Sequence, residues 1–208
     1  MAGEYSTNGA LIDENLGTAY GVIAAAQSGL MTGIAAAADC YMLRNVGKRP
    51  FKIEMVRVRW LTTTAFTTAQ CVGFSFWKAY GATAVHTGGT PTTFAPHWRF
   101  QENVPQTSTG DTVPAAEGTT LINIALTGVI SSTAAITTAT YTAVDADEPD
   151  IFTIGAGSTT PVVYEDWVPR DGLPLVLAQN TALLGRVTVA MGAAGVGRLY
   201  VGVDGYYL

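Results

Sequence analysis

Charge is scarce in this chain: only 13% of its 208 residues are Asp, Glu, Lys or Arg, against roughly 25% in an average soluble domain. The cationic share is smaller still, with 11 Lys and Arg against 16 Asp and Glu and a net charge of −5. That balance excludes a nucleic-acid-binding surface, which needs clustered positive charge. The basic residues that do cluster, Lys48, Arg49, Lys52, Arg57 and Arg59, alternate with apolar ones and read as the polar face of a strand; ion pairing to another subunit is the functional alternative. Cysteine is almost absent. Cys40 and Cys71 stand alone in apolar stretches, with no CxxC pair and no His cluster, which excludes a common zinc site. Buried free thiols are the default for such residues, with a Cys40–Cys71 disulfide as the alternative. A basic leader is missing from the first twenty residues, and the apolar run 21–38 is too rich in Ala and Gly, and too interrupted, to span a membrane. The expectation is a soluble protein made in the cytoplasm, with no membrane partner.

What replaces charge in the polar coat is largely Thr, Ser, Asn and Gln. Hydrophobic residues reach 48% and mean hydropathy is +0.25. Such a thin polar coat is explained most simply by a surface that is covered in an assembly; a monomer with a Thr-rich β surface is the bland alternative. The length suffices for one sizeable core.

Residues 1–32 are Gly- and Ala-rich with weak periodicity, and read as an N-terminal arm, extended or with short helical turns near Ala24 and Gln27. Residues 33–208 read as one β-sandwich domain. The clearest strand covers 51–60: Phe51, Ile53 and Met55 alternate with Lys52 and Glu54, then the phase slips and Val56, Val58 and Trp60 alternate with Arg57 and Arg59. Strict alternation marks a half-buried strand, and a one-residue slip inside it predicts a β-bulge; a strand covered on both faces is the alternative. Further strands are expected over 40–46, 72–80, 120–130, 138–144, 151–154, 162–167 and 173–178. Val187, Val189 and Met191 predict one more, joined by a Gly-rich hairpin at 192–197 to a last strand through Leu199, Val201 and Val203. Residues 90–118 read as irregular. The fold class is all-β, a jelly-roll-like antiparallel sandwich with an extended N-terminal arm.

Catalytic signals are missing. The two histidines, His86 and His97, lie in no nucleophile, metalloprotease or phosphate-loop motif. His97, with Trp98 and Phe100, reads as a loop anchored by its aromatic residues. Asp145, Asp147, Glu148 and Asp150 are a candidate cation cluster, but the spacing is not that of an EF-hand, and a solvated loop is the simpler reading. Glu165 and Asp166 are adjacent and so face opposite sides of a strand, poor geometry for the two carboxylates of a glycosidase. The expectation is no enzyme, no catalytic residues, no metal and no cofactor.

Three segments carry a resemblance: residues 41–60 (YMLRNVGKRPFKIEMVRVRW), residues 65–80 (AFTTAQCVGFSFWKAY) with the TGGT at 87–90, and residues 174–206 (PLVLAQNTALLGRVTVAMGAAGVGRLYVGVDGY). Together they resemble small virion structural proteins of tailed bacteriophages, while residues 101–161 match only loosely. The resemblance implies a virion location and, within it, a head decoration or cement protein: a homotrimeric jelly roll that binds the outer capsid and bridges neighbouring major capsid subunits. A tail, collar or head-fibre component is the alternative within the same class, and a glycan-binding module at the virion surface, using Trp98 or Trp77, is the alternative outside it. Interface contacts are expected from the arm, through Leu11, Ile12, Leu16, Tyr20 and Ile23, and from Trp98 and Phe100.

Overall fold

A computed structural model describes residues 20–66, 71–84, 87–98, 125–136, 141–144, 153–157, 162–169, 174–192 and 195–208. Among these residues the regular structure is entirely β. In chain order the strands are β1 (Tyr20–Gln27), β2 (Asp39–Asn45), β3 (Phe51–Thr64), β4 (Cys71–Tyr80), β5 (Gly89–Pro91), β6 (Thr93–Trp98), β7 (Leu126–Ser131), β8 (Ala143–Val144), β9 (Thr153–Gly157), β10 (Val162–Trp167), β11 (Leu175–Leu177), β12 (Ala182–Val187) and β13 (Val196–Tyr207).

These strands form two antiparallel sheets. Sheet A runs β10–β3–β13–β1–β6, with β11 also on β3; sheet B runs β5–β7–β2–β12–β4–β8, with β9 also on β4. Two edge strands are therefore interrupted: β8 and β9 share the outer edge of β4, and β10 and β11 share the outer edge of β3. Counting each interrupted strand once and setting β5, β6 and β7 aside leaves eight. The first four pair with the last four in reverse order: β1 with β13, β2 with β12, β3 with β10–β11, β4 with β8–β9. A long hairpin wrapped across two sheets in this way is a jelly roll. The expected all-β antiparallel sandwich is the observed fold class.

The segment between β4 and β8 adds to this frame. β5 pairs with β7 in sheet B and β6 pairs with β1 in sheet A, so the chain crosses from one sheet to the other at the buried Thr92. The expected irregular region and aromatic-anchored loop are overturned at 89–98, where β5 and β6 lie; residues 99–124, Phe100 among them, lie outside the described residues.

The main core lies between the sheets. Val22, Ala24, Phe51, Ile53, Val56, Val58, Trp60, Leu199 and Val203 project inward from sheet A, and Tyr41, Leu43, Phe74, Phe76, Leu183 and Val187 meet them from sheet B. The phase slip in β3 is a bulge. Asp204 opposes Met55 and Gly205 opposes Ile53, so Glu54 is the extra residue that lets Ile53 and Val56 both point inward. Asn45 organises the turn at 46–50: fully buried, it donates to the carbonyls of Arg49 and Leu177 at 2.8 Å each and accepts from the Gly47 amide at 3.0 Å.

Two expectations are corrected. The boundary at residue 32 is wrong, because residues 20–27 form β1, an inner strand of sheet A between β13 and β6. Ala24 and Ala26 of this strand belong to the buried core; small size was misread as weak structure. The hairpin at 192–197 does not exist either. β12 ends at Val187 and belongs to sheet B, whereas β13 belongs to sheet A, so this Gly-rich connection crosses the sandwich. Val189 and Met191 lie beyond the strand.

Candidate interaction surfaces

The two outer faces of the sandwich differ. Sheet B is covered by its own chain. Met42, Ala79, Val129, Ala182 and Leu184 project outward into a second apolar cluster with Ala82 and Ile136, flanked by Trp77, Tyr141 and Val144. An ionic clasp closes this layer. Arg186 Nε donates to Asp39 Oδ1 at 2.7 Å, Tyr141 Oη donates to Asp39 Oδ2 at 3.0 Å, and Arg186 Nη2 also donates to Tyr141 Oη. The guanidinium lies over the rings of Trp77 and Tyr141, at 5.9 and 5.7 Å. Burial raises the Tyr141 phenol's pKa, helped by the Asp39 charge. Burial works against the Arg186 charge, but the bonds to Asp39 prevail and its pKa rises. Such a group holds a segment in place.

Sheet A carries no such layer among the described residues. Its outward positions follow from the register. Across the middle runs Thr93–Ala25–Gly202–Arg57–Asp166. Towards the chain's C-terminus lie Ile23, Asp204 and Met55, then Tyr206 with the Lys52 ammonium 5.4 Å over its ring. On the other side, Gln27, Tyr200 and Arg59 share a row, and Arg198 opposes Leu61. The expected polar strand face is therefore real: Lys52, Arg57 and Arg59 project from β3, and Arg57 and Arg59 are exposed. This face is charged with both signs: Arg57, Arg59 and Asp166 are exposed on it, while Tyr206 is buried.

The site residues expected from sequence are scattered. Ile23 is half-buried on the outer face of β1, and Tyr20 and Trp98 are backbone partners at the ends of β1 and β6. Leu11, Ile12, Leu16 and Phe100, and the acidic run 145–150, lie outside the described residues. Glu165 and Asp166 are both exposed, at adjacent positions of β10 opposite Val58 and Arg57. Among the described residues no group of three or more His, Cys, Asp and Glu side chains is arranged to hold a metal, and no helix is long and apolar enough to cross a membrane. Cys40 is a free, buried thiol, donating to the Gly185 carbonyl at 3.4 Å. Sequence reasoning missed the Asp39–Tyr141–Arg186 clasp, whose members are 102 and 45 residues apart; isolated charges in apolar stretches were the available signal. No family model, curated protein or solved structure matches this chain.

Proposed function

We propose that this protein is a structural component of a tailed-phage virion, a head decoration or cement protein that docks on the outer capsid and bridges major capsid subunits, and that it performs no catalysis. The observation that carries this reading is the reverse-order pairing of the eight strands, an architecture that recurs in viral capsid and lectin domains. The resemblance of residues 41–60, 65–80 and 174–206 to phage structural proteins points the same way. So does a surface with little charge to keep a lone chain apart from its neighbours. Sheet A's two-signed outer face is the docking surface on this reading, with the major capsid protein as partner and a homotrimer as the assembled unit. The test is to purify particles with and without the protein and heat both. Complete particles are expected to hold their genome to a higher temperature; equal survival would remove the stabilising role.

A further inference from the structure

We infer that the half of sheet A's outer face around Tyr200 recognises carboxylates on a protein partner, with Arg59 and Arg198 as the groups that pair with them. The inference rests on the docking role proposed for this face and gives its partner a chemistry. Only one half of the face is concerned. Towards Tyr206 the face is closed: Tyr206 is 1% exposed, Gly21 is buried, and Ile23 and Met55 are half-buried. In the other half Ala25, Gln27, Arg57 and Arg59 are exposed, and Arg198, Tyr200 and Gly202 are half-buried.

Charge in this half is lopsided. Its outward positions hold Arg57, Arg59 and Arg198 against one described carboxylate, Asp166. Asp166 stands directly opposite Arg57. Arg198 opposes Leu61, with Arg59 as its diagonal neighbour on β3. Diagonal positions lie about 7–8 Å apart, so one carboxylate can reach both guanidiniums. Among the described residues neither guanidinium is held in an ion pair or hydrogen bond. Beside them the face is recessed. A β-carbon built on Gly202 would meet only Arg57 Cβ, at 3.7 Å, and Ala25 continues the recess onto β1. Tyr200, between Gln27 and Arg59 in the next row, adds an aromatic ring at its edge.

The partner's class follows from number and residue type. Three arginines with an aspartate among them are too few to track a nucleic acid or a sulfated chain, which needs a run of contacts to successive charges. Exposed guanidiniums hold a lone small anion weakly, because water and salt screen the pair. Tyr and Arg together anchor protein interfaces, where the surrounding contacts exclude water and strengthen each pair.

The first test needs no particle. A peptide of alternating Glu and Ala is titrated into the isotope-labelled wild-type chain at low salt, and backbone amides are followed by NMR. Shifts are expected at residues 25–27, 57–61 and 198–202, and neither a Lys–Ala peptide nor a sulfated disaccharide should reproduce them. Arg59→Gln and Arg198→Gln should each weaken the peptide's binding; Lys48→Gln, exposed in the turn at 46–50, should not. The second test is rebinding of the purified chain to particles that lack it. The same two arginine variants should raise the dissociation constant about tenfold, with the β-sheet circular dichroism intact. A Glu–Ala peptide that shifts nothing in these strands, binding indifferent to both variants, or a sulfated disaccharide bound there in the peptide's place would each overturn the inference. Equal rebinding of particles by wild type and variants would overturn it and leave the virion reading standing. Peptide binding at this site by a chain that never attaches to particles would sink the virion reading alone.

Discussion

Trp60 lies against the bare α-carbon of Gly197: a β-carbon there would stand 2.1 Å from Trp60 Cζ2 and 2.7 Å from the Leu61 carbonyl oxygen. The indole is fully buried, and its Nε1 donates to Thr62 Oγ1 at 2.9 Å. The ring has no free space to retreat into, with Phe74 5.4 Å away on centroids. Gly197→Ala is therefore expected to cost about 1–3 kcal/mol, the usual range for overpacking a core, read as a lower urea midpoint at constant slope.

The clasp over sheet B predicts non-additivity. Arg186→Met removes a charged partner from the Asp39 carboxylate, which is only 10% exposed. Asp39→Asn weakens the hold on the guanidinium. Each single change is expected to cost about 1–3 kcal/mol, a partly buried pair falling between exposed and fully buried ones. The double variant should cost clearly less than the two singles together. Additive losses in a double-mutant cycle would mean that the pair is not coupled.

Stability should fall in alkali. Burial drives the Cys40 thiol and the Tyr41 phenol far above their ordinary values of 9.0 and 10.0. Tyr207, whose hydroxyl accepts from the Ala125 amide at 2.8 Å, is pushed up to about 12, chiefly by burial. The folded state thus holds these groups neutral where the unfolded chain would ionise them. Their contribution is complete below the ordinary values and is lost as pH rises towards the folded ones. Urea midpoints should hold up to about pH 9 and then decline, and Tyr207→Phe should lessen the decline between pH 10 and about 12. A midpoint that rose through this window would reverse the sign.

Ala37 sits at φ 61°, in the left-handed region, where an L side chain is strained by roughly 1–2 kcal/mol. Glycine relieves that strain but loses more freedom on folding. Ala37→Gly is therefore expected to stabilise the chain by about 0.5 kcal/mol, measurable as a small upward shift in thermal midpoint. A loss of stability would place other contacts of the Ala37 methyl above its backbone cost.

Deleting residues 1–30 should abolish folding rather than merely loosen attachment. The cut removes β1 from between β13 and β6, and with it the buried Val22 and Ala24, leaving β6 without a ladder partner and β13 paired with β3 alone. Circular dichroism of the truncated chain checks this; a native-like β spectrum would restore the arm reading for residues 20–30.

The amino-acid sequence by itself determined the β class, because alternation is a local property: Phe51, Ile53, Val56, Val58 and Trp60 declare an inward face and, through their phase slip, a bulge at Glu54. It also fixed the free thiol as the natural state for an isolated Cys40 in an apolar stretch. It could not tell an inner strand from an arm where Ala and Gly replace large residues, because Ala24 and Ala26 are small only in relation to what packs on them. Nor could it tell a hairpin from a crossing: Gly192 and its neighbours look the same whether the next strand pairs with the last or lies in the opposite sheet. Tertiary structure alone decided those points. It also joined Asp39, Tyr141 and Arg186, because pairing partners distant in sequence are chosen by the whole core and not by any local segment.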